Sequence, residues 1–184
     1  MTAFLLASAA FLAMEVFAAV MHRLVMHGPG HRWHRFHHGP ATKSFDANDW
    51  FPVLFATATI GVIFVGSRVD ELSFLMWIGA GITAYGAAYL IVHDICTHGR
   101  FVGAPIGNRG YLGYVRRAHR VHHLGGRAPY GFLLPVLGRR HTEERASLQR
   151  RAGRRDPSGR PISAAAATEA FRAVDTDARN LNTS

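Results

Sequence analysis

Apolar residues run along this chain in long unbroken stretches, not at the three-to-four-residue spacing of a soluble amphipathic helix. Residues 2–21 carry a single ionisable side chain, Glu15, while residues 51–65 and 72–92 carry no Asp, Glu, Lys, Arg or His. A helix needs about 20 apolar residues to cross a hydrocarbon core of about 30 Å. The first and third stretches meet that length, and the second reaches it once Trp50, Gly66 and Ser67 are included. A fourth apolar patch, residues 130–137 (YGFLLPVL), is too short to span and contains Pro135, so it reads as a re-entrant or interfacial element. The pattern predicts an all-α integral membrane protein with about three to four membrane helices. The first stretch has no basic region ahead of it and carries Glu15, so it reads as a retained helix rather than a cleaved leader. Gly79, Gly81 and Gly86, set among alanines in the third stretch, read as sites of tight helix packing.

Histidine interrupts this apolar pattern at chosen places. Six of the eighteen residues 21–38 (MHRLVMHGPGHRWHRFHH) are histidine, and the chain has twelve in all. Two phrases repeat: His22 and His27 followed by His34, His37 and His38, then His93 and His98 followed by His119, His122 and His123. On a helix, offsets of three and four fall at about −60° and +40°, so each closing triplet is expected on one face. An offset of five falls about 140° away, so the opening pairs need either a π-bulge or a helix end to face one ion. Gly28-Pro29 and Gly99 follow the two pairs and fit an ending.

The apolar stretches between His38 and His93 carry the chain out and back, so both phrases are expected at one membrane face. No basic residue precedes the first span, whereas Arg23, Arg32, Arg35 and Lys43 follow it, which makes that face cytoplasmic. Ten imidazoles exceed the four ligands of a typical zinc site or the six of an octahedral ion. They point to two ions with vacant positions, a centre for chemistry rather than for structure. Imidazole suits iron, copper, zinc and nickel alike, so spacing does not name the element. A non-enzymatic metal-binding or transport protein would set its ligands in mid-span, whereas these lie at span ends.

Other residues gain a reading from this cluster. Asp94 follows His93 directly and is placed to accept a proton from a ligand ring. Glu15 lies seven residues before His22, about 20° from the same face and about 10 Å along the axis, so it supports a ligand or pairs within the bundle. Cys96, the lone cysteine, is an alternative soft ligand between His93 and His98. His31 and His141 read as surface residues. No catalytic side chain beyond the metal ligands is indicated.

Charge changes the picture only at the C-terminus. The net charge of +9 would suit nucleic acid, but residues 139–184 hold ten of the arginines and the rest flank the apolar stretches. Residues 1–138 therefore read as the membrane-embedded catalytic domain, and residues 139–184 as a basic, solvated, partly disordered tail. Nucleic acid is excluded as a partner. The glycines of GAPIGNRGYLG follow no strand, so the chain offers no dinucleotide site.

MEVFAAVMHRLVMHGPGHRWHRFHHGP, SFDANDWFPVLFA, WIGAGITAYGAAYLIVHDICTHGRF and GYLGYVRRAHRVHH together resemble the bacterial beta-carotene 3-hydroxylases, of the fatty-acid hydroxylase/sterol desaturase superfamily of membrane diiron enzymes. The resemblance covers roughly residues 14–137. It implies two iron ions held by His22, His27, His34, His37, His38, His93, His98, His119, His122 and His123. It further implies O2 as co-substrate, a carotenoid hydroxylated at C3 of each beta-ionone ring, and electrons from an external NAD(P)H-reductase and ferredoxin-type donor at a bacterial inner membrane. The same superfamily includes carotenoid ketolases and fatty-acid or sterol hydroxylases and desaturases, which product identity separates. The chain departs from the family where Gly39 follows the second histidine box and in the shortness of the stretch after His123.

Overall fold

The computed structural model describes residues 1–38, 45–101, 106–107, 109–125 and 128–135. Gly39, the end of the apolar patch at residues 136–137 and the arginine-rich tail lie outside the described residues. The chain divides into two compact units, Met1–His119 with Pro129–Val136, and Arg120–Ala128 with Leu137–Ser184.

The first unit is built on three long helices. Helix α1 (Thr2–Met21) continues as a π-helical turn, His22–Met26, and is followed by the short α2 (His31–His34). Helix α3 (Trp50–Arg68) takes in Trp50, Gly66 and Ser67, which give the second stretch its spanning length. Helix α4 (Phe74–Tyr89) also ends in a π-helix, Leu90–Thr97. With their continuations, Thr2–Met26, Ala47–Arg68 and Phe74–Thr97 are each long and apolar enough to cross a membrane. Helix α5 (Gly110–Gly125) carries His119, His122 and His123 and begins in the first unit. No strand occurs among the described residues. Residues 128–135 are non-helical, so the described chain has three candidate spans and not four.

Burial is inverted relative to a water-soluble protein. Phe4, Leu12 and Ile60 are 76, 61 and 66% exposed, whereas His22, His34, His93 and His122 are buried. Large apolar side chains directed outward suit a hydrocarbon solvent, and the buried His22 and His93 are kept at the span ends.

Helix α4 is the central member and packs against both α1 and α3. A Cβ on Gly81 would stand 2.2 Å from the Ala7 carbonyl oxygen, and one on Gly79 would stand 2.3 Å from Ile63 Cγ1. These two glycines permit the close helix approach that drives association in lipid. Gly86 does not share that role. Apart from its own chain neighbours and the backbone of its own helical turns, no heavy atom lies within 4 Å of the position its Cβ would take, so the expectation of tight packing there is corrected.

Candidate metal centre

The two histidine phrases begin where α1 and α4 change their winding. His27 N–H donates to the His22 carbonyl at 3.0 Å, and His98 N–H donates to the His93 carbonyl, also at 3.0 Å. Both are i→i+5 bonds, which set a residue and its fifth neighbour one turn apart. The 140° separation expected of an ideal helix is thereby closed. The His22 and His27 ring centroids are 5.0 Å apart, and those of His93 and His98 are 4.7 Å apart. Each π turn then ends the helix, by Gly28 on one side and by Gly99, with φ +70°, on the other. Of the two local devices open to the sequence, both are used.

Eight imidazoles in the first unit assemble into two groups. The ligand atoms of His22, His27, His34 and His38 lie within 4.8 Å of one another, as do those of His37, His93, His98 and His119. The triplet 34–38 does not keep one face. Helix α2 ends at His34 and the chain continues in turns, with His37 N–H bonded to the His34 carbonyl at 3.0 Å, so His37 enters the other group. Its ring stacks on His93 at 4.8 Å. On α5, His122 is fully buried beyond His119, and its ring centroid lies 6.0 Å from that of His123. His31 is exposed, and Cys96 is buried as a free thiol; neither belongs to either group.

The hydrogen bonds around these rings fix where their lone pairs point. A neutral imidazole has one N–H. His22 Nδ1 lies 3.1 Å from the Tyr130 carbonyl, His34 Nδ1 2.9 Å from Asn48 Oδ1, and His93 Nδ1 2.8 Å from Asp94 Oδ1. All three partners accept and do not donate, so the hydrogen sits on Nδ1 and Nε2 carries a bare lone pair. Yet His22 Nε2 stands 3.0 Å from His34 Nε2, and His93 Nε2 is buried with no hydrogen-bond partner. Two lone pairs that close repel unless a cation lies between them. The donor set therefore fits a metal ion in each group, and the carbonyl and carboxylate partners orient the ligand rings.

Two structural braces hold these partners. Asp46 and Asp49 form a capping box around Ala47–Asp49, with Asn48 N–H donating to Asp46 Oδ1 at 2.7 Å. Arg100 clamps Asp49 through both terminal nitrogens, at 2.6 and 2.8 Å, and ties the segment after His98 to the carrier of Asn48. The second brace is Glu15. Its carboxylate accepts from the amides of Phe132, Leu133 and Leu134 at 2.9–3.1 Å and from the Tyr85 hydroxyl at 2.8 Å. Gly131 permits this approach, since a Cβ there would stand 2.8 Å from Glu15 Oε1. Phe132 stacks on His22 at 4.8 Å, and Tyr130 accepts the His22 proton. Glu15 therefore acts on the cluster through residues 130–134, while Asp94 acts on its ring directly.

Residues 7–141 match the profile of the fatty acid hydroxylase family. The chain is 40% identical to a beta-carotene hydroxylase of Pantoea ananas over 81% of its own length and 85% of the relative's. It is 42% identical to the enzyme of that name from Pseudescherichia vulneris over 78% of this chain and 81% of the relative. A third such protein, from Paracoccus sp. (strain PC1), is 40% identical over 67% of this chain and 75% of the relative. The chain belongs to the fatty acid hydroxylase family. No solved structure matches it. Membership makes the chain a hydroxylating oxidoreductase and gives the histidine groups a reaction to serve.

The fatty acid hydroxylase fold supplies that centre with an apolar cavity of about 710 Å³. It is lined from Met14 to Met26 on the first span, from Phe51 to Ile63 on α3, and from Ile82 to Asp94 on α4 and its continuation. Each interval is twelve residues, so the cavity is about 18 Å long at 1.5 Å per residue. Asn48, Asp49, Asp94 and Arg100 line its polar end, beside the histidines; Ile63 and Ile82 line the other. The hydroxyls of Thr59 and Thr83 bond within their own helices, to the carbonyls of Phe55 and Gly79 at 2.8 Å, which leaves the long walls apolar in effect.

Three histidines of this hydroxylase, His27, His34 and His98, are held toward the neutral form. Burial is the main cause that lowers His34 to about 4 and His98 to about 2, with repulsion from neighbouring His93 and Arg100 adding to the second. His27 is lowered by the same desolvation. Their lone pairs are thus available to metal without deprotonation.

Asn48, the Tyr130 carbonyl and the Asp49–Arg100 clamp were not read as functional from sequence. The D-x-x-D spacing of SFDANDW carried a signal for the first and third, as a capping box opening a helix.

Proposed function

We propose that this chain is a beta-carotene 3-hydroxylase that binds two irons at the cytoplasmic end of its spans. The observation that carries this reading is the convergence of imidazole lone pairs in two groups beside an elongated apolar cavity. His122 and His123, three and four residues beyond His119 on α5, bring the proposed ligand set to ten. Bound iron supplies O2 activation, and an all-imidazole, oxygen-poor ligand set with vacant positions suits that use. One atom of O2 enters a C3–H bond of a beta-ionone ring, and the other leaves as water with two electrons and two protons. The electrons come from outside the chain, from an NAD(P)H-reductase and ferredoxin-type donor. The product passes from beta-carotene to beta-cryptoxanthin to zeaxanthin as each ring is treated.

The chain's own part is positioning. Asp94, Asn48 and the Tyr130 carbonyl hold three ligand rings in one tautomer. The apolar walls exclude water along the substrate and admit a molecule dissolved in the bilayer. Arg23, Arg32 and Arg35, at the histidine end of the first span, support the proposed orientation of that end toward the cytoplasmic side of a bacterial inner membrane.

Expression in bacteria that accumulate beta-carotene, with chromatography of the pigments, tests the proposal. Zeaxanthin and its mono-hydroxylated precursor are expected, and His122→Ala is expected to abolish both. Unchanged beta-carotene with an iron-loaded, membrane-inserted protein would assign another lipid substrate, and a ketone product would overturn the reaction.

A further inference from the structure

Gly86 occupies an unusual place among the glycines of α4. Gly79 and Gly81 are buried and would clash with α3 and α1 if they carried a Cβ. Gly86 is exposed, lines the cavity, and has open space where a Cβ would stand. A glycine within a helix is less favourable than an alanine. At Gly86 no neighbouring helix makes up for that cost.

Its position along the cavity is informative. Gly86 lies seven residues before His93, two turns or about 10 Å along the axis. It falls between the polar end at Asp94 and the apolar end at Ile82. Helix α4 packs against α1 on one side and α3 on the other, while α1 and α3 face each other through the Phe17–Phe55 edge-to-face pair at 5.7 Å. Both of those rings line the cavity. The α4 surface is therefore the floor of the cavity, and Gly86 is the bare point of that floor. A side chain placed there would fill the cavity without displacing a neighbour.

We infer that Gly86 is a specificity-determining position, keeping the floor open so that a rigid, methyl-bearing chain can lie along α4 with its ring at the histidines. This rests on the carotenoid reading above. A thin, flexible acyl chain could bend around a side chain at this point; a rigid polyene cannot.

The test compares wild type, Gly86→Ala, Gly86→Leu and Gly61→Leu in beta-carotene-accumulating bacteria. Gly61 is an exposed α3 glycine with equally open surroundings, outside the cavity lining, and serves as the control for a leucine added to a span. Three quantities are read: hydroxylated pigment, iron per chain, and beta-carotene retained by purified metal-free protein. Gly61→Leu should match wild type. Gly86→Leu should keep its iron but lose about tenfold or more in both conversion and retained pigment, with Gly86→Ala between. Wild-type conversion or retention in Gly86→Leu would overturn the inference while leaving the proposed function standing. Loss of iron in both Gly86→Leu and Gly86→Ala would make the glycine structural and overturn it as well. A wild-type chain that neither converts nor retains beta-carotene would overturn the proposed function itself, and the inference with it.

Discussion

A metal ligand is only as useful as the atom that aims it. His93 has its Nδ1–H held by Asp94 at 2.8 Å and its Nε2 left for the ion, so the carboxylate selects the tautomer and the ring angle together. Losing such a partner typically weakens metal binding about 10–100-fold. Asp94→Ala is expected to lose iron over that range in a graded chelator competition. Asp94→Asn, which keeps an acceptor oxygen, is expected to lose less. Equal iron retention in Asp94→Ala and wild type would show that the contact does not orient the ring. Asp94 was legible in the sequence because it is the next residue after a ligand. Asn48 was not legible as a partner of His34, nor Tyr130 as a partner of His22, because contacts 14 and 108 residues apart are set by how helices return.

At the scale of elements, the spans were legible and their ends only partly so. Three apolar stretches of helical length, only the first with an ionisable side chain, can satisfy their backbone in lipid only as helices, so α1, α3 and α4 follow from composition alone. The five-residue histidine spacing posed a choice between a π turn and a helix end, and His22–Met26 and Leu90–Thr97 use both. Even helical spacing predicted a shared face for His34, His37 and His38, but α2 stops at His34 and a turn divides them. The apolar patch after α5 is fixed by Glu15, whose partners only the folded chain reveals. Removing that carboxylate leaves the amides of Phe132, Leu133 and Leu134 and the Tyr85 hydroxyl without their acceptor. Each such group costs about 1–3 kcal/mol when buried. Glu15→Ala is therefore expected to lower thermal stability sharply and to loosen iron through His22. Glu15→Gln, which keeps one acceptor, is expected to recover part of both. A Glu15→Ala protein with wild-type melting temperature and iron content would refute this strut.

The described spans combine outward-facing apolar side chains with buried histidines, of which His34 and His98 are held neutral by burial, and that combination couples stability to pH. An imidazole in the unfolded chain takes up its proton near 6.5. In the folded protein burial holds His34 unprotonated to about 4 and His98 to about 2. Below pH 6.5 the unfolded chain therefore binds more protons than the folded one, and the folded state loses stability as pH falls. The loss begins near 6.5 and continues down to about 4 for His34 and further for His98. Metal binding acts in the same direction, since ions and protons compete for the same lone pairs. The metal-free protein in detergent is expected to melt at a constant temperature between pH 7.5 and 8.5 and at progressively lower temperatures from pH 6.5 to 4.5. The iron-loaded protein should melt higher at neutral pH and converge on the metal-free curve as acid releases its iron. A metal-free melting temperature that stays level from pH 7.5 to 4.5 would contradict imidazoles buried in the neutral form. It would also remove the reason that these lone pairs stand ready for metal at neutral pH.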